Sequence, residues 1–247
     1  MKTEIIVALA GNPNTGKSTV FNALTGLNQH TGNWPGKTVL QSTGTYSYRD
    51  EEFKIVDLPG TYSLLANSPE EQVARDFLYF GNPHVTVVVA DATSLERNLN
   101  LILQVLEITG NAIVCLNLMD EAKRKGIKVD AKKLGELLGV PVVPTIARTR
   151  VGLGRLQYEI LSLARTQNRE QNQGQFQIRY SEKIEDSITK LELKLAAHLG
   201  EIGNTRWLAL RLLDGDPVVA QSLAHYLTQN KVAAAFDGGE RICQGGS

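Results

Sequence analysis

The run Gly11-Asn12-Pro13-Asn14-Thr15-Gly16-Lys17-Ser18-Thr19 constrains this chain more than anything else in it. It follows the apolar stretch Ile5-Ile6-Val7-Ala8-Leu9 and precedes apolar positions at helical spacing, Val20, Phe21, Leu24 and Leu27. Strand, glycine-rich turn and helix in that order make the context of a P-loop. The glycines let backbone N–H groups turn inward around phosphate oxygens, and the following helix presents its positive end to them. Lys17 supplies a point charge for the β- and γ-phosphates, and Ser18 a hydroxyl for Mg²⁺. A chain built on this run is expected to bind a nucleoside triphosphate.

A second phosphate-side motif, Asp57-Leu58-Pro59-Gly60, ends the apolar run Phe53 to Val56. Its carboxylate can reach Mg²⁺, and the Gly60 N–H can point at a γ-phosphate. The base is read from Asn117-Leu118-Met119-Asp120, at the end of the apolar run Ala112 to Leu116. A carboxylate in the base plane accepts from both N1–H and the 2-amino group of guanine. Adenine lacks that amino group and would leave a buried acceptor unpaired, a cost of ~1–3 kcal/mol. Asn117 holds such a pocket together. The later loop Pro144-Thr145-Ile146-Ala147-Arg148 is placed to give backbone N–H groups to guanine O6.

Apolar runs of strand length alternate with helical spacing as far as Leu163, which predicts a doubly wound α/β sheet with ligand at the strand carboxyl ends. Asn28 to Lys37 reads as irregular, with Trp34 either anchoring that loop or acting near the nucleotide. Thr38 to Tyr48 and Phe53 to Val56 read as antiparallel strands joined by a polar turn. Ser68-Pro69-Glu70-Glu71 reads as a helix start, with Ser68 as N-cap, rather than as a catalytic carboxylate pair. One helical stretch is expected through Leu138, and another from about Gly152. The predicted domains are a nucleotide-binding domain over 1–166, a linker at 167–176, a helical domain over 177–235 and a tail at 236–247, read as a cut boundary. In the helical domain Ile184, Ile188, Leu191, Leu195 and Leu199 share one face.

Composition narrows the function classes. The chain has 26 basic and 26 acidic residues in 247, so no basic excess marks a nucleic-acid footprint. Its two cysteines are too few for a disulfide framework, and Cys115 reads as a small core residue in a reducing, cytosolic setting. No signal peptide is expected, and the longest apolar run, Val85 to Ala92, falls short of the ~20 residues that cross a bilayer. An alternative reading, a soluble ribosome-assembly or RNA-associated GTPase, shares the P-loop but normally adds a basic module. A P-loop kinase or ATPase is disfavoured by Asn117 and Asp120.

Several segments together resemble the cytosolic G domain of FeoB-type ferrous iron transporters. They are Gly11 to Ser18, Gly32-Asn33-Trp34-Pro35-Gly36, Asp57-Leu58-Pro59-Gly60-Thr61-Tyr62-Ser63-Leu64, Ser68 to Arg75, and Arg206-Trp207-Leu208-Ala209-Leu210. The resemblance covers nearly the whole chain and implies a P-loop GTPase (Ras-like) mixed sheet with a small all-α, GDI-like C-terminal domain. It also implies two nucleotide-sensing switches, Asn28 to Leu40 and Gly60 to about Arg75. The implied catalytic set is Asn14, Lys17, Thr38 and Gly60. Nucleotide contacts are implied for Gly11 to Thr19, Gly36, Lys37, Thr38, Asp57 to Gly60, Asn117 to Asp120, and Ile146, Ala147 and Arg148. Mg²⁺ falls to Ser18, Thr38 and Asp57, and K⁺ to Asn14. The implied partners are GTP or GDP and a transmembrane Fe(II) permease in the same polypeptide, at the cytoplasmic face of the bacterial inner membrane, with homo-oligomers also in view. Four positions depart from the pattern: Thr61 replaces a water-orienting glutamine, which implies slow hydrolysis, Lys37 and Gln41 replace an apolar and an acidic residue, and Ile146 replaces a small polar one.

Overall fold

In the computed structural model, residues 4–26, 29–65, 68–166, 179–199 and 204–240 are described. From the N-terminus the elements are β1 (Ile5–Gly11), α1 (Lys17–Thr25), β2 (Gln29–Asn33), β3 (Leu40–Tyr48), β4 (Glu51–Asp57), α2 (Pro69–Phe80), β5 (Val85–Asp91) and α3 (Leu95–Ile108). There follow β6 (Ala112–Asn117), α4 (Met119–Arg124), α5 (Ala131–Leu138), β7 (Val142–Pro144), a 3₁₀ turn (Ala147–Thr149) and α6 (Leu153–Arg165). Then come α7 (Glu182–Leu199), α8 (Thr205–Leu213) and α9 (Pro217–Glu240). The chain divides into two compact units, Met1–Arg179 and Tyr180–Ser247.

The first unit is a seven-stranded mixed sheet in the order β2-β3-β4-β1-β5-β6-β7. Its right side is parallel, β1 pairing with both β4 and β5, and β5 continuing to β6 and β7. β3 runs antiparallel between β4 and β2. β5 and β6 are buried almost throughout and predominantly apolar because helices cover both faces, which is the pattern a buried parallel strand requires. On one face Val7, Leu9, Val87, Val89, Ile113 and Cys115 pack with Val20, Phe21 and Leu24 of α1 and Leu156 and Ile160 of α6. On the other, α3 lies over β5 and β6. From β1 the chain reaches β4 on one side, and α2 then carries it to β5 on the other. β1 is therefore the switch point of the sheet, and the crevice at its carboxyl end is where such sheets bind ligands.

The segment read as irregular, Asn28 to Lys37, in fact contains β2, which pairs antiparallel with β3 from Gln29–Gly44 to Asn33–Leu40. Gln-His-Thr-Gly-Asn carries no apolar alternation because this edge strand is mostly exposed and buries neither face. The helical stretch expected through Leu138 is two helices, parted at Lys125 and Gly126, and Asp130 caps the second by accepting from the Lys133 N–H at 3.0 Å. Ser68 caps α2 as expected, accepting from the Glu71 N–H at 3.2 Å. Leu27, Asn28, Ala66, Asn67, the linker at 167–176 and Cys243 lie outside the described residues.

Among the described residues the second unit is three helices. Ile188 of α7, Trp207 and Leu208 of α8 and Val219 of α9 are buried in it. Arg206 makes a bidentate pair with Glu185, at 2.8 and 2.9 Å, which ties α8 to α7. Ile184 is 43% exposed, so the expected apolar face of α7 is buried mainly around Ile188. α9 runs on through 236–240, where a tail was expected.

Candidate functional site

Between β1 and α1 the P-loop turns on two positive-φ residues, Asn14 at 65° and Gly16 at 81°. Gly16 must be glycine for a second reason, since a Cβ there would lie 2.4 Å from Asn117 Nδ2. Thr15 is fully buried and donates its hydroxyl to Asn12 O at 2.9 Å, which fixes the curl of the loop. Asn14, Ser18 and Thr19 are exposed, whereas the Lys17 side chain is largely buried. Asn12 is buried, and its Nδ2 has no hydrogen-bond partner among the described residues.

Asn117 joins this loop to the base side. It is buried, and its Nδ2 donates to Thr15 O at 3.0 Å. Its Oδ1 accepts from the Ala147 N–H at 3.1 Å and from the Thr145 hydroxyl at 3.3 Å. One side chain thus fixes the P-loop against the loop after β7, two segments far apart in sequence. Leu118 next to it adopts φ 61°, a left-handed conformation that turns the chain into α4 and sets Met119 and Asp120 in the first turn. Asp120 is 28% exposed and faces Arg148 Nη2 at 3.4 Å. Arg148 is 80% exposed, so the contact is a weak tether that leaves the carboxylate accessible. The N–H groups of Thr145, Ile146 and Ala147 are all bonded within the protein, to Leu116 O, Val151 O and Asn117 Oδ1.

On the phosphate side Lys17 Nζ lies 2.5 Å from Asp57 Oδ1, and both side chains are largely buried. Burial raises the Asp57 carboxyl above its ordinary range, and the Lys17 charge and hydrogen bond pull against that shift. Leu58 N–H donates to Leu9 O and Thr61 N–H to Gly11 O, which seats Asp57 to Thr61 along the end of β1. A Cβ at Gly60 would meet Pro13 at 3.5 Å, so the two backbone segments lie close together. Magnesium keeps several waters and takes one or two protein groups plus phosphate oxygens. One carboxylate, Asp57, and the first-turn hydroxyl of Ser18 fit that donor set. Among the described residues no group of three or more His, Cys, Asp or Glu offers a self-contained metal site.

Gly36, Lys37 and Thr38 lie on the turn between β2 and β3. Thr38 is exposed, and its hydroxyl makes no hydrogen bond among the described residues. Lys37 Nζ instead bonds Gln72 Oε1 on α2 at 2.7 Å. Trp34 packs edge-on against Phe77 of the same helix, with ring centroids 5.3 Å apart. Of the two readings of Trp34, the loop anchor is the one the geometry supports.

Two groups escaped the sequence reading. The Thr145 side chain, also in contact with Cys115 Sγ at 3.2 Å, supports Asn117 from behind. Cys115 is fully buried, which pushes its thiol up to about 12 and keeps it unreactive. On α3, Gln104 accepts from the Leu64 N–H at 2.6 Å, and Asn100 donates to Tyr62 O at 3.2 Å. These hold the segment after Gly60. Nothing marks them in sequence, since polar residues on the outer face of an amphipathic helix read as solvated.

Known proteins match this arrangement. The family model for ferrous iron transport protein B matches residues 5–160, and that for the FeoB cytosolic helical domain matches 180–242. The Fe(2+) transporter FeoB of Escherichia coli K12 is 34% identical over 235 residues, covering 94% of this chain and 29% of the relative. The chain therefore spans about 29% of the length of that curated relative. The GDP form I of the cytosolic domain of the T. maritima FeoB iron transporter superposes with a TM-score of 0.79 at 38% identity, covering 91% of this chain and 86% of that one. The GMPPNP form of that domain gives 0.79 at 38% identity, covering 89% and 85%.

Proposed function

The chain belongs to the ferrous iron transport protein B family, and on that premise we propose that it is a GTP-binding and GTP-hydrolysing switch that regulates Fe(II) passage through a transmembrane permease of the same polypeptide. The observation that carries the nucleotide reading is Asn117, which clasps the P-loop through Thr15 and the base loop through Ala147. That clasp makes the phosphate site and Asp120 one rigid pocket, and Asp120 is the carboxylate that selects guanine. Among the described residues no helix is long and apolar enough to cross a membrane. The proposed setting is the cytoplasmic face of the bacterial inner membrane, with the permease in the part of the relatives that this chain does not span.

Within the pocket, backbone N–H groups of the Gly11 to Thr19 loop, Pro13 excepted, would surround the phosphates and Lys17 would neutralise the β–γ bridge. Lys17 is paired with Asp57, so a triphosphate and its metal would each take one member of that pair. Mg²⁺ held by Ser18, Asp57 and Thr38 would supply charge neutralisation at the γ-phosphate. The Gly60 N–H, seated by Pro13, donates to a γ-phosphate oxygen. Thr61 is buried and lacks the long amide side chain with which a glutamine orients water, so the intrinsic rate is slow. Asn14 is exposed on the P-loop rim, and K⁺ bound there would supply the positive charge that an arginine finger supplies elsewhere.

GTP hydrolysis measured in KCl and in NaCl at equal ionic strength tests this. Stimulation by KCl that is lost in Asn14→Ala is expected. Equal rates in the two salts, or full stimulation in the variant, would overturn the potassium role, and absence of any GTP turnover would overturn the GTPase reading. In the intact transporter Lys17→Ala is expected to abolish Fe(II) uptake.

A further inference from the structure

We propose that Trp34 and Lys37 form a two-point latch on α2 that withholds Thr38 from the phosphate site, so that the loop of residues 34–39 and α2 change position together. Its consequence rests on the nucleotide reading above, whereas the latch itself rests on side-chain contacts. One anchor is apolar: the Trp34 ring meets Phe77 at 5.3 Å with an interplanar angle of 67°, the edge-to-face geometry that aromatic pairs favour. The other is polar and charge-assisted: Lys37 Nζ donates to Gln72 Oε1 at 2.7 Å. The two anchors grip successive turns of α2, and either alone would let the loop pivot.

Between the anchors the loop is closed on itself. Trp34 N–H donates to Val39 O at 2.9 Å, and Lys37 N–H donates to Trp34 O at 3.0 Å. Val39 is buried at 8% exposure while Thr38 beside it faces solvent. Thr38 therefore cannot turn inward by rotating its own side chain, because it is carried by a small closed turn pinned at both ends. Bringing its hydroxyl to a metal on Ser18 and Asp57 requires the turn to open, and opening breaks the contacts to α2. Acidic residues Glu70 and Glu71 in the first turn of α2 add to the field that holds a cation at position 37. Lysine suits a releasable anchor, being a single point charge on a flexible stem. A ligand shifts such an equilibrium only by its differential affinity for the two states. A γ-phosphate with its metal has that difference, because it binds Thr38 in the open form alone, and a diphosphate has not.

The chain has two tryptophans, so a Trp207→Phe background leaves Trp34 as its single tryptophan, excited selectively at the red edge of the absorption band. Acrylamide quenching of Trp34 in the full chain, without nucleotide, reads the latch directly. Lys37→Met and Gln72→Met are each expected to raise the quenching constant about twofold, and the double variant no further, since both remove one contact. Adding Mg²⁺ and GMPPNP to the Trp207→Phe chain is expected to raise quenching, and Mg²⁺ with GDP is not. Gln72→Met is expected to tighten GMPPNP binding about 5-fold, the worth of one part-exposed hydrogen bond to a charged group, with GDP affinity unchanged. Unchanged quenching in both single variants, or additive effects in the double, would overturn the latch. Equal shifts in GDP and GMPPNP affinity would overturn its link to Thr38. Failure of every guanine nucleotide to bind would instead overturn the nucleotide reading, and the quenching without nucleotide would still judge the latch.

Discussion

Replacing Asn117 by alanine removes one buried side chain and three hydrogen bonds, to Thr15 O, from the Ala147 N–H and from the Thr145 hydroxyl. Thr145 keeps alternatives in Leu116 O and Cys115 Sγ, so two buried backbone groups are left without partners. An orphaned buried group costs ~1–3 kcal/mol, a carbonyl toward the low end, which gives about 3 kcal/mol for Asn117→Ala once water entering the vacated space is allowed for. For a unit of this size that corresponds to a fall in Tm of ~6–12 °C. Urea unfolding of the Trp207→Phe chain, followed by Trp34 emission and by far-UV circular dichroism, measures it through the shift in midpoint at constant slope. Asn117→Asp sharpens the test. It keeps an oxygen for Ala147 N–H but turns a second oxygen on Thr15 O, so at neutral pH it is expected to cost at least as much as alanine. Acidification that protonates the carboxyl restores a donor and should recover part of the loss. A cost below about 1 kcal/mol for Asn117→Ala, or no pH dependence in the difference between the two variants, would refute the clasp.

Asp120→Asn is expected to weaken GTP binding and admit xanthosine triphosphate, whose 2-oxo group suits an amide donor; equilibrium binding of both nucleotides decides, and unchanged GTP affinity would sink the guanine assignment. Tyr46 is buried, stacked on Phe53 at 4.8 Å, and its hydroxyl has no partner among the described residues. Tyr46→Phe is therefore expected to raise stability by about 1 kcal/mol, seen as a higher urea midpoint, and a loss of stability would contradict it. Burial raises the Asp57 carboxyl, so the folded chain holds that proton more tightly than the unfolded one. Stability from this group is greatest below its unfolded pKa and is lost as pH rises through the folded value. Wild type should accordingly lose ground to Asp57→Asn as pH rises through the carboxylate range, and parallel stability profiles would refute the shift.

What was legible of the candidate site is what local chemistry dictates. A loop that must turn on Gly16, with a lysine and a hydroxyl opening the next helix, announces itself at short range. So does a carboxylate ending an apolar strand, as at Asp57. β2 was not legible, because an exposed edge strand owes its conformation to pairing with β3 and not to any pattern of its own. The partners Gln72, Phe77, Asn100 and Gln104 were invisible for a related reason. Each sits on a helix whose sequence already accounts for it as surface or core, and its second role exists only where another segment is folded onto it.

The sequence by itself pointed to the phosphate loop, to Asn117 and Asp120 as candidate base contacts, to the alternation of buried strands and helices, and to a separate helical segment. These follow from backbone conformations and hydrophobic periods that act within a few residues. Only the tertiary structure decided that Asn117 is the clasp between Thr15 and Ala147, that Lys17 meets Asp57, and that Lys37 and Trp34 lead the Thr38 loop to α2. Those contacts join residues tens of positions apart, and their partners are chosen by where the sheet order carries each strand end, which no short stretch of sequence encodes.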